Sequence, residues 1–225
     1  MLTLPSLLAH PDITLFAACS SRSDARKRFE DDFGGIAYTD YDAMLGNADV
    51  DAVYVATPHE LHMEHTVAAL EAGKCVLLEK PMAISLAQAT VIVDASKTYG
   101  KTVIVGPSHS FDPAVGEALQ LIKTGDFGKV KIVQSAYHTN FMYRPRRPEE
   151  LDTKRGGGVI FSQGAHQFDI ARMLAGGVGT SLVGQAGVWD ASRHSETAYT
   201  GLIHFAGGAV AKLTYSSNDF YESGI

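Results

Sequence analysis

The stretch DAVYVATPHELHMEHTVAALEAGKCVLLEKPMA, residues 51–83, holds the pattern that decides the fold. Its apolar runs at Asp51–Thr57 and Cys75–Glu79 predict two strands. Between them, Glu60–Ala72 predicts a helix that stops at Gly73, a usual left-handed cap. A strand, a helix and a strand in this order are typical of a βαβ unit in a parallel sheet. Ligands of such sheets bind beyond the carboxyl ends of the strands, so the residues directly after each strand are candidates for a site.

The same alternation continues on both sides and predicts a doubly wound, Rossmann-like sheet. A Rossmann domain normally opens with a strand and a Gly-x-Gly-x-x-Gly turn, and neither precedes Leu4. We therefore expect a fragment, or a gene model begun at an internal methionine, with an NAD(P)-binding domain at residues 1–108 that lacks its first strand and turn. The further predicted strands are Ile13–Cys19 and Thr102–Gly106, and the further predicted helices are Leu2–Ala9, Asp24–Phe33 and Ser85–Tyr99.

The second half of the chain, after Pro107, predicts a different architecture. Ala206–Gly208 predicts a hairpin turn between two strands. Consecutive strands favour a mostly antiparallel sheet, so we predict an α+β substrate and oligomerisation domain at residues 109–225, incomplete at its C-terminus. The helices are predicted at Pro113–Thr124 and Ser162–Ala175, an irregular loop at Tyr143–Gly158, and the strands at Val130–Thr139, Ser181–Val188, Ala198–Phe205 and Val210–Ser216.

Composition excludes several classes of protein. The chain has 225 residues and a net charge of −6 with neutral histidines, so no overall basic field would draw it to nucleic acid or to a membrane. No apolar run approaches the length of a membrane span. Cys19 and Cys75 are isolated, which favours a reducing compartment, the cytoplasm, over a disulfide framework. His59, His62 and His65 do not have the His-Glu-x-x-His spacing, so we predict no metal site.

Three motifs in a fixed order carry a family resemblance. They are ATPHELH at Ala56–His62, EAGK at Glu71–Lys74 and EKP at Glu79–Pro81. With this order the chain resembles the Gfo/Idh/MocA oxidoreductases. The segments FDP at Phe111–Pro113, GDFGKV at Gly125–Val130 and GGGVIFSQGAHQFD at Gly156–Asp169 are similar to later motifs of that family, and the basic loop and FSQGAHQ are most similar to its 4,5-dihydroxyphthalate (phthalate dihydrodiol) dehydrogenase branch.

The resemblance implies a function for the chain. It implies hydride transfer between NAD or NADP and an alcohol carbon of a cyclic polyol or a carboxylated cis-dihydrodiol. It also implies a small-molecule substrate, and we expect a homo-oligomer formed through the second-domain sheet. The alternatives are a non-catalytic ligand-sensing or scaffolding protein, or a truncated pseudo-enzyme, on the same fold.

Lys80 is the first candidate for catalysis. Hydride transfer from a carbinol requires removal of the hydroxyl proton, and a partly desolvated lysine at the end of a strand suits that role. Glu79 is expected to hold this lysine in position, and the resemblance implies a cis peptide bond at Pro81 that directs it into the cleft. The alternative is a surface Glu-Lys pair before a helix-starting proline.

His166 is the second candidate. Ser162, His166 and Asp169 stand at positions i, i+4 and i+7, so we expect them along one side of a helix that faces a cleft. The resemblance implies that His166 accepts a proton or shares that role with Lys80, whereas a purely structural histidine is the alternative. Ser162 stands where the family more often has aspartate, and we expect it to bind a substrate hydroxyl.

The residues that bind the cofactor are predicted from two places. The resemblance puts Thr57, Pro58 and His62 at the cofactor cleft, together with Glu79 and Lys80.

The second place is the loop Ser20-Ser21-Arg22, which follows the first predicted strand. An acidic residue there would favour NAD, whereas serines with an arginine suit the 2′-phosphate of NADP. We therefore favour NADP, with a helix-capping loop as the alternative.

The loop before the glycine-rich motif is basic although the chain is acidic. Its Arg144, Arg146 and Arg147 are candidates for binding an anionic substrate, because guanidinium groups bind carboxylates in a bidentate manner. A solvated loop or a subunit contact is the alternative. The cluster is short and lacks interleaved aromatic residues, so we predict no nucleic-acid partner.

Overall fold

The computed structural model describes residues 3–190 and 193–219. No helix in this described part is long and apolar enough to cross a membrane. The chain forms two compact units, each assembled from three segments. The first unit comprises the residues up to Val55, Glu64–Leu77 and Val91–Ile104, and the second comprises Ala56–Met63, Leu78–Thr90 and the residues from Val105 onwards.

The first half of the chain alternates short strands with helices, as predicted. In chain order the elements are α1 Thr3–Ala9, β1 Ala17–Cys19, α2 Ser23–Phe33, β2 Ile36–Tyr38, α3 Tyr41–Leu45, β3 Ala52–Val55, α4 His62–Glu71, β4 Cys75–Glu79, α5 Leu86–Tyr99 and β5 Val103–Gly106. Strands β1 and β2 pair in parallel, and β3, β4 and β5 form a three-stranded sheet in that order. Gly73 ends the turn after α4 with a positive φ of 76°, as its predicted role requires.

The described residues of the second half form a four-stranded sheet and two α-helices. The elements are α6 Pro113–Thr124, β6 Ile132–His138, α7 Ala165–Ala175, β7 Gly179–Gly187, β8 Ala198–Phe205 and β9 Val210–Ser216. The strand order is β6-β9-β8-β7. Strand β6 runs parallel to β9, whereas β7 with β8 and β8 with β9 are antiparallel, which confirms the mostly antiparallel sheet.

Helix α7 is fixed on this sheet by aromatic stacking and by one glutamine. The ring of Tyr199 stacks between those of Phe168 and Tyr215, with centroid distances of 5.9 and 5.8 Å. The Tyr199 hydroxyl donates to Oε1 of Gln167 at 2.5 Å, and Nε2 of Gln167 donates to Oγ of Ser135 at 2.8 Å. Both ends of the Gln167 amide bind residues of the sheet. The adjacent residue on α7, His166, is therefore also held in position.

Two elements, β2 and α3, have no counterpart among the predicted ones. Both are very short, and periodicity needs a longer run before it separates a helix or strand from a loop. A local signal is nevertheless present, because the Asp40 carboxylate caps α3 by accepting from the backbone N–H of Ala43 at 2.9 Å. The predicted strand at Ile13–Cys19 is also shorter in the structure, and Leu2 of the predicted first helix lies outside the described residues.

Candidate functional site

Lys80 lies directly after β4, at the carboxyl end of that strand. Its ammonium group donates a hydrogen bond of 2.6 Å to the backbone carbonyl oxygen of Ser162. The Glu79 carboxylate accepts from the backbone N–H of Lys80 at 3.3 Å, so it contacts the backbone at this point. The peptide bond between Lys80 and Pro81 is cis, as the resemblance implied.

The environment of Lys80 favours loss of its proton. Burial lowers the pKa of Lys80, because removing the ammonium group from water disfavours the charged form. The negative charges of Glu79 and Glu150 act in the opposite direction, and the positive charge of Arg146 adds to the lowering. A lysine with a lowered pKa is more often neutral near pH 7, and the neutral amine accepts protons.

Ser162 belongs to a π-helical turn, Ile160–Gly164, that precedes α7. Its hydroxyl donates to the carbonyl oxygen of Gly158 at 2.5 Å, so the hydroxyl proton is used inside the turn. The prediction that one α-helix starts at Ser162 is wrong, since α7 begins at Ala165. A π-helical turn has a different spacing, so the α-helical argument that aligned Ser162 with His166 does not hold across it.

His166 is buried near the start of α7, with 9% of its surface exposed. Its ring meets the ring of His109 edge to face, with centroids 4.5 Å apart. Within the described residues, Nδ1 of His166 has no hydrogen-bond partner. Burial, followed by the positive charges of Lys80 and His109, lowers the pKa of His166 to about 4. The imidazole is therefore neutral at pH 7.

His109 and Asp169 complete the surroundings of His166, and the sequence patterns did not assign His109 a role. Its only sequence signal is its place directly before the Ser-Phe-Asp-Pro segment. Asp169 accepts from the Ser110 hydroxyl and binds Arg172 at 2.8 Å. A surface pocket of about 440 Å³ lies beside them, and neither Lys80 nor His166 lines it. Its lining residues are Met82, Val105, Pro107, Ser110, Phe111, Asp169, Arg172 and Met173.

His62 ties the Thr-Pro turn to the turn after β4. Its Nδ1 lies 2.7 Å from the carbonyl oxygen of Pro81, and its Nε2 lies 2.9 Å from the carbonyl oxygen of Thr57. A neutral imidazole donates to only one of these acceptors, and only the imidazolium donates to both. The ring is fully buried, so it supports the Thr57-Pro58 turn from within and has no surface with which to contact a ligand directly.

Arg155 and Gly156, at the start of the glycine-rich motif, contact the two residues that follow the Thr57-Pro58 turn. Nδ1 of His59 lies 2.9 Å from the carbonyl oxygen of Gly156, and Arg155 forms an ion pair with Glu60. Burial lowers the pKa of His59. Among the described residues, no group of three or more His, Cys, Asp or Glu side chains is arranged to hold a metal ion.

The three arginines of the basic loop have different environments. Arg146 is the least exposed, since 16% of its side chain is accessible, and its guanidinium carbon lies 3.5 Å from the centroid of the Phe141 ring. It also lies 3.6 Å from Glu150. Arg147 is 68% exposed and reaches the same carboxylate, whereas Arg144 donates to Oδ1 of Asn140 at 2.9 Å. Of the three, Arg146 is the one whose positive charge lowers the pKa of Lys80.

The loop after β1 belongs to the first unit. Arg22 forms an ion pair with Asp24, and both side chains are about 70% exposed. The backbone N–H of Arg22 donates to Oγ of Ser20 at 3.2 Å. Ser21, between these two residues, is exposed. An exposed pair of this kind is weak, so Arg22 can exchange the carboxylate for another anion at little cost.

Comparison with known proteins adds two matches to family models. A model described as an oxidoreductase family with an NAD-binding Rossmann fold, GFO_IDH_MocA, matches residues 2–107. A second model, the GFO/IDH/MocA C-terminal domain, matches residues 115–224.

Individual relatives agree with the two models. The chain is 42% identical over 224 residues to a 1-carboxy-3-chloro-3,4-dihydroxycyclohexa-1,5-diene dehydrogenase of Comamonas testosteroni, covering 99% of this chain and 56% of the relative. It is 33% identical to an inositol 2-dehydrogenase of Saccharopolyspora erythraea, covering 64% of this chain and 40% of the relative. A crystal structure from Bordetella bronchiseptica is 36% identical with a TM-score of 0.94, covering 99% of this chain and 58% of that one. The chain thus spans about half the length of the curated relatives it matches.

The lowered pKa of His166 predicts a pH dependence of stability. The pKa of His166 is about 4 in the native state, against 6.5 ordinarily. Between pH 6.5 and pH 4, the unfolded chain therefore binds a proton at this residue and the native state does not. The free energy of unfolding therefore falls as the pH falls through this window. We expect His166→Gln to remove about 3 kcal/mol of the loss between pH 7 and pH 4.

Urea unfolding at pH 7, 5.5 and 4 measures this effect. His204→Gln, at an exposed position of β8, serves as the matched control. If the free energy of unfolding depended on pH in the same way for wild type and His166→Gln, the lowered pKa of His166 would be contradicted.

Proposed function

We propose a function for this chain, which belongs to the GFO/IDH/MocA family of oxidoreductases. It is an NAD(P)-dependent dehydrogenase that oxidises an alcohol carbon of a cyclic diol or polyol. The observation that carries the proposal is the partly buried Lys80 ammonium at the carboxyl end of β4, bound to the Ser162 carbonyl near a neutral His166.

Lys80 and His166 have complementary parts in the proposed reaction. As the carbon loses its hydride, the hydroxyl proton moves to the neutral amine of Lys80, whose lowered pKa makes it a suitable acceptor. His166 remains neutral and binds the second hydroxyl or the forming carbonyl oxygen through a ring nitrogen. The Ser162 carbonyl then holds the protonated Lys80 until solvent removes the proton. A bound nicotinamide supplies the hydride acceptor.

The residues present fit a nicotinamide cofactor. Hydroxyl and guanidinium groups at the end of β1, on Ser20, Ser21 and Arg22, suit a ribose hydroxyl or a 2′-phosphate. Thr57 and Pro58 follow β3, and Glu79 and Lys80 end β4, which is the edge of a parallel sheet where dinucleotides bind. We favour NADP because Arg22 is exposed and weakly paired.

The proposed substrate carries a carboxylate that Arg146 binds. The relative from Comamonas testosteroni is named for a carboxylated dihydroxycyclohexadiene, and Arg146 offers a partly buried cation near Lys80. A guanidinium group braced on an aromatic face keeps its fork in one orientation, which favours a bidentate carboxylate contact.

We further propose a homo-oligomer, a cytoplasmic location and a domain boundary. Exposed apolar residues on the sheet of the second unit, such as Leu182 at 56% and Val183 at 73%, support association through that sheet. A monomer in light scattering would contradict this association.

Free thiols at Cys19 and Cys75 suit the cytoplasm, and recovery of the protein from an oxidising compartment would contradict this location. The matched ranges support a boundary at residues 108 and 109.

The enzymatic proposal is tested by cofactor binding and by one lysine variant. We expect the protein to enhance NAD(P)H fluorescence, and Lys80→Met to lower kcat by roughly 10²-fold or more, as expected for loss of a general base. Lys74→Met is the matched control, because Lys74 is a buried lysine that also donates to a backbone carbonyl, that of Asn47 at 2.9 Å. No cofactor binding, or full turnover by Lys80→Met, would overturn the proposal in favour of the non-catalytic alternative.

The substrate proposal is tested with a pair of cis-dihydrodiols that differ only in a carboxylate. We expect Arg146→Gln to raise KM for the carboxylated diol by about 10-fold or more, because a charged hydrogen-bond pair is lost, and to leave the uncharged diol unaffected. Arg147→Gln, on the exposed neighbour, is the control. An equal effect of Arg146→Gln on both diols would show that the arginine does not read the carboxylate.

The cofactor preference is tested with two variants of opposite direction. Arg22→Ala removes the cation, so we expect the ratio of NADPH to NADH affinity to fall by about 10-fold, which corresponds to 1.4 kcal/mol. Asp24→Asn frees the same guanidinium and should raise that ratio. Titration of both cofactors measures it, and an unchanged ratio in both variants would exclude Arg22 as the determinant.

A further inference from the structure

A buried carboxylate lies against Gly158, in the segment that leads to Ser162. Glu196 has 8% of its surface exposed and stands between Ser195 and Thr197, which are also buried. Within residues 3–190 and 193–219, no basic side chain forms an ion pair with it. Burying an unpaired carboxylate is costly, so its hydrogen bonds must compensate.

Those hydrogen bonds reach residues 153–160, which include the three consecutive glycines at 156–158. Oε2 of Glu196 accepts from the Thr153 hydroxyl at 2.5 Å, and Oε1 accepts from the backbone N–H of Ile160 at 3.2 Å. Its backbone carbonyl oxygen faces the N–H of Val159 at 3.4 Å. Glu196 thus binds residues before and after the three glycines at 156–158.

Gly158 lies against the same carboxylate. A Cβ atom built on Gly158 would overlap all three carboxyl atoms of Glu196, and its φ of +81° also disfavours a side chain. The glycine therefore lets the carboxylate approach the backbone. Ser162 completes the arrangement, since its hydroxyl binds the Gly158 carbonyl.

These contacts lead to Lys80 in two steps. Glu196 fixes Ile160, the first residue of the π-helical turn, and packs against Gly158, whose carbonyl binds Ser162 within that turn. The Ser162 carbonyl in turn accepts the Lys80 ammonium at 2.6 Å.

We propose that Glu196 is a positioning residue, whose carboxylate holds the π-helical turn in the conformation that presents the Ser162 carbonyl to Lys80. The assignment rests on the proposed function of Lys80 for its catalytic meaning. Glu196 does not touch the reacting atoms, and it acts through the backbone of Gly158 and Ile160. Its charge is not among those that act on Lys80, so the effect is one of geometry.

The reactivity of the Lys80 amine measures this geometry without any need for turnover. The protein is labelled with acetic anhydride across the pH range, and acetylation of each lysine is quantified by mass spectrometry. Glu196→Ala and Glu196→Asp remove or shorten the reach of the carboxylate, while Glu196→Gln keeps an acceptor for Ile160 and a group that can bind Thr153. Lys74, buried in the first unit, is the internal reference.

We expect Glu196→Ala and Glu196→Asp to raise the labelling of Lys80 at pH 8 by about 10-fold, the order expected for loss of a charged hydrogen bond, with Lys74 unchanged. Glu196→Gln should stay within about two-fold of wild type, because its hydrogen bonds persist. In turnover assays the first two should lower kcat and leave the cofactor Kd unchanged.

Unchanged Lys80 labelling in a folded Glu196→Asp protein would overturn the proposal, and so would equal effects of Glu196→Gln and Glu196→Ala. Failure of the proposed function is a different result. In that case the wild type binds no nicotinamide cofactor, while the labelling of Lys80 still responds to Glu196.

Discussion

The hydrogen bond from the Lys80 ammonium to the Ser162 carbonyl is the contact on which the candidate site depends. A partly buried ammonium group must replace the water that it loses by fixed acceptors, and a backbone carbonyl fulfils this role only if its peptide unit points correctly. The position of the Lys80 ammonium therefore depends on the backbone conformation of the π-helical turn. This requirement explains why the segment around the turn carries tight backbone contacts that an ordinary surface loop would not need.

The same ammonium contributes to the protonation state of His166. Burial is the main reason that the imidazole of His166 is neutral, and the positive charge of Lys80 adds to this effect. When Lys80 loses its proton, part of that penalty disappears. Environments that change the pKa values of neighbouring groups are how such groups acquire different roles in one site.

Sequence reasoning reached the parts of the fold and site that depend on local pattern. The bounds of β4 and the place of Lys80 follow from an apolar run and the residue after it, and β4 was predicted at Cys75–Glu79 as observed. The π-helical turn could not be predicted, because a carboxylate from Glu196, 36 residues away, determines it together with Gly158. Similarly, no local pattern separates Arg146 from its neighbours, since its contact with the Phe141 ring distinguishes it only after folding.

The serine at position 162 can be understood from the same geometry. Lys80 binds the backbone carbonyl of this residue, so a carboxylate side chain is not needed to hold the ammonium. The serine hydroxyl instead closes the turn on the Gly158 carbonyl. An aspartate would bring a second buried negative charge near Glu196 and could not donate this hydrogen bond when ionised. Serine at position 162 and a glutamate at position 196 therefore form a consistent set, in which Glu196 supplies the carboxylate and Ser162 supplies a backbone carbonyl and a neutral donor.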